Sequence, residues 1–334
     1  MESGVPQGSV LGPTLFLVMM NKIDSRVNRS SVGSFADDSR LWSAISGIHA
    51  AIEMQDDLNT VYEWANSINM KFNQSKFEAI TFGKGERVAS YSTPNGTPIT
   101  QITHVKDLGI TIQDNLKFDR HISTIAAKGH RMIGWSLRTF KTRQTKTMLT
   151  ILKSLVLSQC EYGSIIWSPR NRAQINLLES VQKKYTSRLA RFQSHDNDAP
   201  SCNTDYPTRI KILGLLSMER RRERYAIIYA YKIVINIVPN PGFVISYDPR
   251  RKITIKPKSD HRQVVASWIR NARNHSFYTI GPMLYNSLPA YLRELEEIST
   301  PTKNHINRFK NRLQKYLITI ADIPGSPRNS LIPQ

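Results

Sequence analysis

The chain has 334 residues, 40% of them apolar and none in low-complexity tracts, enough to bury a substantial core and form two or three domains. Its two cysteines, Cys160 and Cys202, lack CxxC spacing and a histidine at ligand spacing. That argues against a disulfide framework or a zinc site, and points to a reducing intracellular compartment, cytoplasmic or nuclear. The formal charge of +20 is uneven: residues 1–130 hold 12 Lys+Arg against 13 Asp+Glu, a net of −1, and residues 131–334 hold 34 against 13, a net of +21. Such asymmetry is the electrostatic footprint of a polyanion-binding protein, with nucleic acid ahead of an anionic membrane and a merely soluble basic surface as the plain alternative.

The N-terminus opens with an acidic residue and a glycine-proline loop, not the basic-then-apolar run of a secretory signal. Residues 10–20 are the longest apolar stretch, interrupted by Gly12 and Pro13 and too short to span a bilayer, so no membrane partner is expected. Gly4-Val-Pro-Gln-Gly8 reads as a glycine-bracketed loop that allows close backbone approach to a ligand. Ser9 suits a cap, and residues 11–23 have the length and apolar content of a buried helix, with Pro13 tolerated near its start.

Residues 32–42 follow, Val-Gly-Ser-Phe-Ala-Asp-Asp-Ser-Arg-Leu-Trp, a short β-hairpin pattern with Asp37 and Asp38 at its tip. Paired carboxylates on a rigid turn are ligands for a hard cation such as Mg²⁺, although Asp-Asp is also an ordinary polar turn. Asp24, near the end of the expected helix, reads as a solvated residue.

Residues 50–68 place Ile52, Leu58, Val61, Tyr62 and Ala65 at helical spacing, with Glu53, Asp56, Asp57 and Glu63 on the other faces. Residues 70–72 and 79–82 read as short strands around Asn73-Gln-Ser-Lys76, and Asn95-Gly96 signals a turn. Residues 102–112 have strand character around Leu108-Gly109, where the glycine marks a close approach or a bulge. From residue 119 the texture turns helical and basic: Ile122, Ile125 and Ala126 begin one helix and residues 147–157 form a second. Residues 176–189 line up Leu178, Val181, Tyr185 and Leu189 opposite Lys183, Lys184 and Arg188.

Residues 192–205 are polar and acidic, as a linker would be. Residues 209–238 put Arg220, Arg221, Arg222 and Arg224 on an expected helix, where some should reach solvent or phosphate. Arg250-Arg-Lys252 is a second basic cluster, Trp268, Phe277 and Tyr285 read as core, and residues 309–317 form a short basic helix.

Gly4-Val-Pro-Gln-Gly-Ser-Val-Leu-Gly-Pro13 followed by Phe35-Ala-Asp-Asp38 resembles, in order and spacing, two consecutive motifs of reverse transcriptases of the non-LTR (LINE and Jockey) type. The resemblance implies an α+β fold. Residues 1–85 would be a partial palm, an antiparallel sheet with packed helices, and residues 86–120 a primer-grip-like hairpin. A helical thumb-like region over 121–192, a linker over 193–208 and a basic, mainly helical region over 209–334 would follow. It implies RNA-directed DNA polymerase chemistry with two Mg²⁺ ions, and an RNA template, a DNA primer and a dNTP as partners. Carried over by position, Asp37 and Asp38 would be the metal ligands and Lys76 a catalytic lysine near the triphosphate. Gly4, Pro6, Gln7, Gly8, Ser9, Leu108 and Gly109 would meet template and substrate, and Lys183, Lys184, Arg220, Arg221 and Arg222 the nucleic-acid backbone. In the family, fingers and a strand with a third metal-binding aspartate precede the glycine loop, which here begins three residues after Met1. The chain is therefore expected to be N-terminally truncated and inactive alone, with a non-catalytic nucleic-acid-binding remnant as the alternative.

Overall fold

The computed structural model describes residues 8–83, 89–192, 200–201, 203–248, 252–258, 267–294, 303–324, 326 and 329–331. They form helices and small two-stranded sheets arranged as two compact units. The first takes in the chain up to Asp107 and Ile112–Leu116; the second takes in Leu108–Thr111 and everything from Lys117 onward.

In the first unit, α1 (Gly12–Met20) begins where the Ser9 hydroxyl accepts the Gly12 N–H at 3.0 Å, as the sequence suggests. The strands β1 (Ser31–Phe35) and β2 (Asp38–Trp42) form an antiparallel hairpin, and α2 runs over Ile48–Ser67. Met20 and Ile23 pack on Val61, Trp64 and Ala65, with Met70 and Phe72 against the rim. This corrects two expectations. Residues 70–72 are not a strand, because they give their side chains to this small core instead of their backbone to a ladder. The stretch 10–20 is not uniformly buried either: Leu15, Leu17 and Val18 are exposed, since only one face of α1 meets α2.

The short strands β3 (Glu78–Ile80) and β4 (Thr100–Ile102) pair in parallel, contrary to the all-antiparallel expectation, an arrangement that a tight hairpin turn cannot make. Strands β5 (His104–Asp107) and β6 (Ile110–Gln113) follow as a hairpin, and the turn at Leu108 and Gly109 has φ of +43° and +85°. Gly109 therefore makes a turn, not a bulge within one strand.

The second unit starts with α3 (Asp119–Thr139), followed by α4 (Thr145–Ile151), a π-helical turn over Leu152–Leu157, α5 (Ser158–Glu161), α6 (Ser164–Trp167) and α7 (Arg172–Phe192). The apolar stripe read from residues 176–189 is fully inside, and the buried Tyr185 hydroxyl donates to the Met148 carbonyl at 2.8 Å. Helices α3 and α7 approach closely at Gly129, where an added Cβ would lie 2.8 Å from the Cys160 sulfur and 2.9 Å from Val181. Burial and the neighbouring Glu161 carboxylate push the Cys160 thiol up to about 12.

The expected linker ends in structure. Asp205 accepts the Thr208 N–H at 3.2 Å and caps α8 (Tyr206–Ile212), with Pro207 in the first turn, so Asp-Tyr-Pro is a helix start that polar composition obscured. After it come α9 (Met218–Val234), the antiparallel pair β7 (Phe243–Asp248) and β8 (Lys252–Pro257), α10 (Ser267–His275), α11 (Phe277–Asn286) and α12 (Lys303–Thr319). Ile227, Ile233, Ile255, Tyr285, Leu313 and Leu317 form the centre of this second core, and Tyr231 stacks on Phe309 with ring centroids 3.9 Å apart. Arg250 and Arg251 of the second basic cluster lie outside the described residues.

Gly129→Ala should destabilise the chain by roughly 1–3 kcal/mol through overpacking, whereas Gly134→Ala, which meets only the flexible end of Arg138, should be neutral or stabilising by up to about 1 kcal/mol. Urea midpoints of the two variants test the difference. Cys160 should resist alkylation at pH 8 in the native chain and react at once in denaturant, read by peptide mapping.

Candidate metal and nucleic-acid site

The register of the first hairpin pairs Val32 with Leu41, Gly33 with Arg40 and Phe35 with Asp38, leaving Ala36 and Asp37 as the turn. Ala36 adopts φ +54°, the left-handed region that a residue with a side chain enters at a cost. The tight turn holds Asp37 and Asp38 together at an exposed tip.

The root of the hairpin is fixed from α2. Backbone N–H groups of Asn28, Arg29 and Ser30 donate to the Asp57 carboxylate at 2.8, 3.0 and 2.7 Å. Asp57 is 3% exposed. Burial pushes its carboxyl up, and the three backbone donors with the Ser30 hydroxyl outweigh that, leaving it below the ordinary value of 3.8. Further along the hairpin, the Arg40 guanidinium donates through Nε to Asp107 at 2.7 Å. Asp107 closes β5 immediately before the turn at Leu108 and Gly109. The reading of Asp57 as an outward acidic residue is thereby corrected. It lies four residues before Val61 and eight before Ala65, on the buried stripe, a signal the sequence did hold. The Arg40–Asp107 pair spans 67 residues and left no local signal.

The other candidate residues are scattered among several elements. Gly4, Pro6 and Gln7 lie outside the described residues; Gly8 is exposed with φ +83°. Lys76 is exposed on the turn Gln74–Lys76, and no ion pair among the described residues joins it to Asp37 or Asp38. Asp24 is exposed, as read. Within the second unit, the Leu108 carbonyl accepts from the Tyr162 hydroxyl at 3.1 Å. Lys183, Lys184 and Arg188 line the exposed side of α7.

Arg220, Arg221 and Arg222 do not form a phosphate-facing row. Arg220 and Arg222 are 1% and 3% exposed, and Arg220 donates to the carbonyls of Ala321 and Asn329 at 3.2 and 2.6 Å. Arg221 grips Glu161 with both edges of its fork, Nη2 at 2.9 Å from Oε2. Acceptors elsewhere in the fold draw Arg220 and Arg221 inward, and Arg222 is buried where Glu179 and Glu219 balance its charge through space, whereas sequence reasoning assumed that charge stays outside.

Residues 1–118 match the family model described as reverse transcriptase (RNA-dependent DNA polymerase). The chain is 28% identical over 200 residues to the RNA-directed DNA polymerase from mobile element jockey of Drosophila melanogaster, an alignment covering 56% of this chain and 22% of that protein. Over these stretches the chain is similar to non-LTR retrotransposon reverse transcriptases. It is also 27% identical over 190 residues to the probable RNA-directed DNA polymerase from transposon X-element of the same fly, covering 54% and 21% of the two chains. A third relative, the Pol polyprotein from type-1 retrotransposable element R1 of Nasonia vitripennis, is 27% identical over 183 residues, covering 49% and 52%. The alignments span about a fifth of the first two relatives' own length. No solved structure matches the chain significantly.

Reverse transcriptases use divalent metals and bind an RNA template and nucleotides. The oxygens of Asp37 and Asp38 are donors of the right hardness for such an ion. Among the described residues no group of three His, Cys, Asp or Glu side chains converges. Among the described residues no helix is long and apolar enough to cross a membrane.

Asp57→Asn should lower the urea midpoint at pH 7, because an amide offers one acceptor where three N–H donors converge. A carboxylate with a depressed folded pKa stabilises above its unfolded value and loses that contribution as pH falls through the folded one. The gap between the two proteins should therefore be full at pH 7 and shrink below about pH 4, measured by urea melts across that window.

Proposed function

We propose that the chain serves RNA-templated DNA synthesis, in which a primer 3′-hydroxyl attacks the α-phosphate of a dNTP. The observation that carries this reading is the Asp37–Asp38 tip, presented on a tight turn whose root is locked by Asp57. Asp37 and Asp38 hold part of the metal site, and bound Mg²⁺ would supply charge neutralisation at the triphosphate and activation of the hydroxyl. Gly8 and Ser9 face the nascent base pair, Leu108 and Gly109 approach the primer through exposed backbone, and Lys76 balances phosphate charge. The work belongs inside the cell, cytoplasmic or nuclear, where RNA and DNA are at hand.

Two carboxylates do not fix two ions, so the chain by itself does not extend a primer. Incubation with an RNA template, an annealed DNA primer, dNTPs and Mg²⁺ should leave the primer unextended. Extension that disappears in Asp37→Ala would reverse this part of the proposal and assign the metal site directly.

The second reading, nucleic-acid binding without catalysis, is favoured by the excess of +21 after residue 130 and by the exposed Lys183, Lys184 and Arg188. It calls for RNA affinity that falls steeply with salt and is indifferent to Asp37→Ala. The double variant Lys183→Gln/Lys184→Gln should reduce the slope of log K against log salt by about 2 if both lysines meet phosphates. Binding that does not change with salt would count against it.

A further inference from the structure

Helices α9 and α12 pack together in the second core, where the rings of Tyr231 and Phe309 stack with centroids 3.9 Å apart. The next residue on each helix is a lysine, Lys232 on α9 and Lys310 on α12. Arg224 stands eight residues before Lys232, and Lys303 seven before Lys310. Each pair therefore shares one side of its helix, about 10–12 Å apart along the axis.

The four cations come together without counter-ions. Burial, and after it the charges of Lys232, Arg224 and Lys303, hold the Lys310 amine below the usual lysine value. No ion pair among the described residues joins any of the four to a carboxylate. Glu161 acts on Arg224 through space, but its oxygens already accept from Arg221 and, at 2.9 Å, from the Tyr225 hydroxyl. The remaining carboxylates of α9 are engaged as well, Glu219 by Arg172 and Asn329, and Glu223 by Ser330 and Leu331. Helix α12 contains no Asp or Glu. Like charges gathered in this way oppose folding, and a local rule broken at a cost to the fold points to a ligand that repays it.

Lys303, Asn307, Lys310 and Gln314 recur at i, i+4, i+7 and i+11, along one side of α12. Lys303 and Asn307 are exposed, and Lys310 and Gln314 half-buried. The strip alternates cations with neutral amides and lacks the bulky apolar row by which a helix lies in a membrane surface. Cations with amides between them are what a nucleic-acid backbone meets, phosphates on the charges and sugar or phosphate oxygens on the amides.

We infer that this face of α9 and α12 binds the phosphodiester backbone of a nucleic-acid strand, with Arg224, Lys232, Lys303 and Lys310 on its phosphates and Asn307 beside them. The inference rests on the nucleic-acid-binding reading above and adds a contact surface to that of α7. It also relocates the phosphate contacts expected of α9, from the inward-drawn Arg220, Arg221 and Arg222 to the cations that follow them.

The test uses the full chain with a fluorescently labelled single-stranded RNA of mixed sequence, read by anisotropy across a salt series, and thermal denaturation of the free chain. Lys232→Gln/Lys310→Gln should weaken binding roughly tenfold or more at low salt and lower the slope of log K against log salt by about 1.4, two contacts at about 0.7 each. The same variant should melt at the same temperature as the unsubstituted chain or higher, since it relieves repulsion, whereas lysines that only support the fold would lower it. Lys232→Arg/Lys310→Arg, which keeps the charge, should bind as the unsubstituted chain does. Should the glutamine pair fold poorly, Lys303→Gln at its exposed position decides, with the slope expected to fall by about 0.7. Salt-dependent RNA binding that is unchanged in the glutamine variants would overturn this surface while leaving the α7 reading in place. The same variants losing affinity for phosphatidylserine vesicles but not for RNA would overturn it in favour of a membrane. Absence of RNA binding by the unsubstituted chain would overturn both readings.

Discussion

Burying an arginine is tolerable only where acceptors or counter-charges meet it, and in the second unit that constraint organises almost everything around α9. Arg220 reaches forward to the carbonyls of Ala321 and Asn329, Arg221 holds Glu161, and the buried carboxylate of Glu179 accepts the Met218 N–H at 3.0 Å at the start of the helix. Burial pushes Glu179 and Glu223 above the ordinary carboxylate value and Arg222 below the ordinary arginine value. The network holds both signs because each pair shields the other from that cost. Breaking one buried pair typically costs about 3–5 kcal/mol, more than most single apolar contacts. The helix is thus fixed in place by direction-dependent contacts, and the apolar packing of Ile227 and Ile233 is built on that position.

In the first unit the same principle works at smaller scale. A single carboxylate, Asp57, gathers three consecutive N–H groups that would otherwise need water, and so sets where β1 begins. The exposed acidic tip is mechanically dependent on a buried acidic residue. Sites that present charge to solvent gain precision in this way, from neighbours that never touch the ligand.

What could be read from the sequence was local. The helix expected over 50–68 runs over Ile48–Ser67, the stripe from Leu178 to Leu189 is buried, and the turn carrying Asp37 forms as the alternation of its flanks requires. These follow from periodicity within a few residues. What could not be read depends on distant partners: Arg40 with Asp107, Arg221 with Glu161 across 60 residues, the parallel pairing of β3 and β4. The inward arginines were missed for a further reason. Their charge predicts exposure unless one knows that Glu161, Glu179 and the carbonyls near residue 329 will be waiting. Asp205 before Tyr206-Pro207 shows the opposite case, a local helix start hidden by a polar neighbourhood.

The tail contacts of α9 also bear on synthesis. Asn329 follows Arg220 by 109 residues, so a ribosome moving at about 5–20 residues per second delivers it roughly 5–20 s after the helix it completes. Helix formation is finished in microseconds, long before that. During the interval a nascent arginine-rich helix has its carboxylate partners from upstream but not its carbonyl acceptors from downstream, and its guanidinium groups must stay hydrated. Closure of the second core is thus tied to the arrival of residues 321–329, and until they emerge the helix is translated but unable to bury.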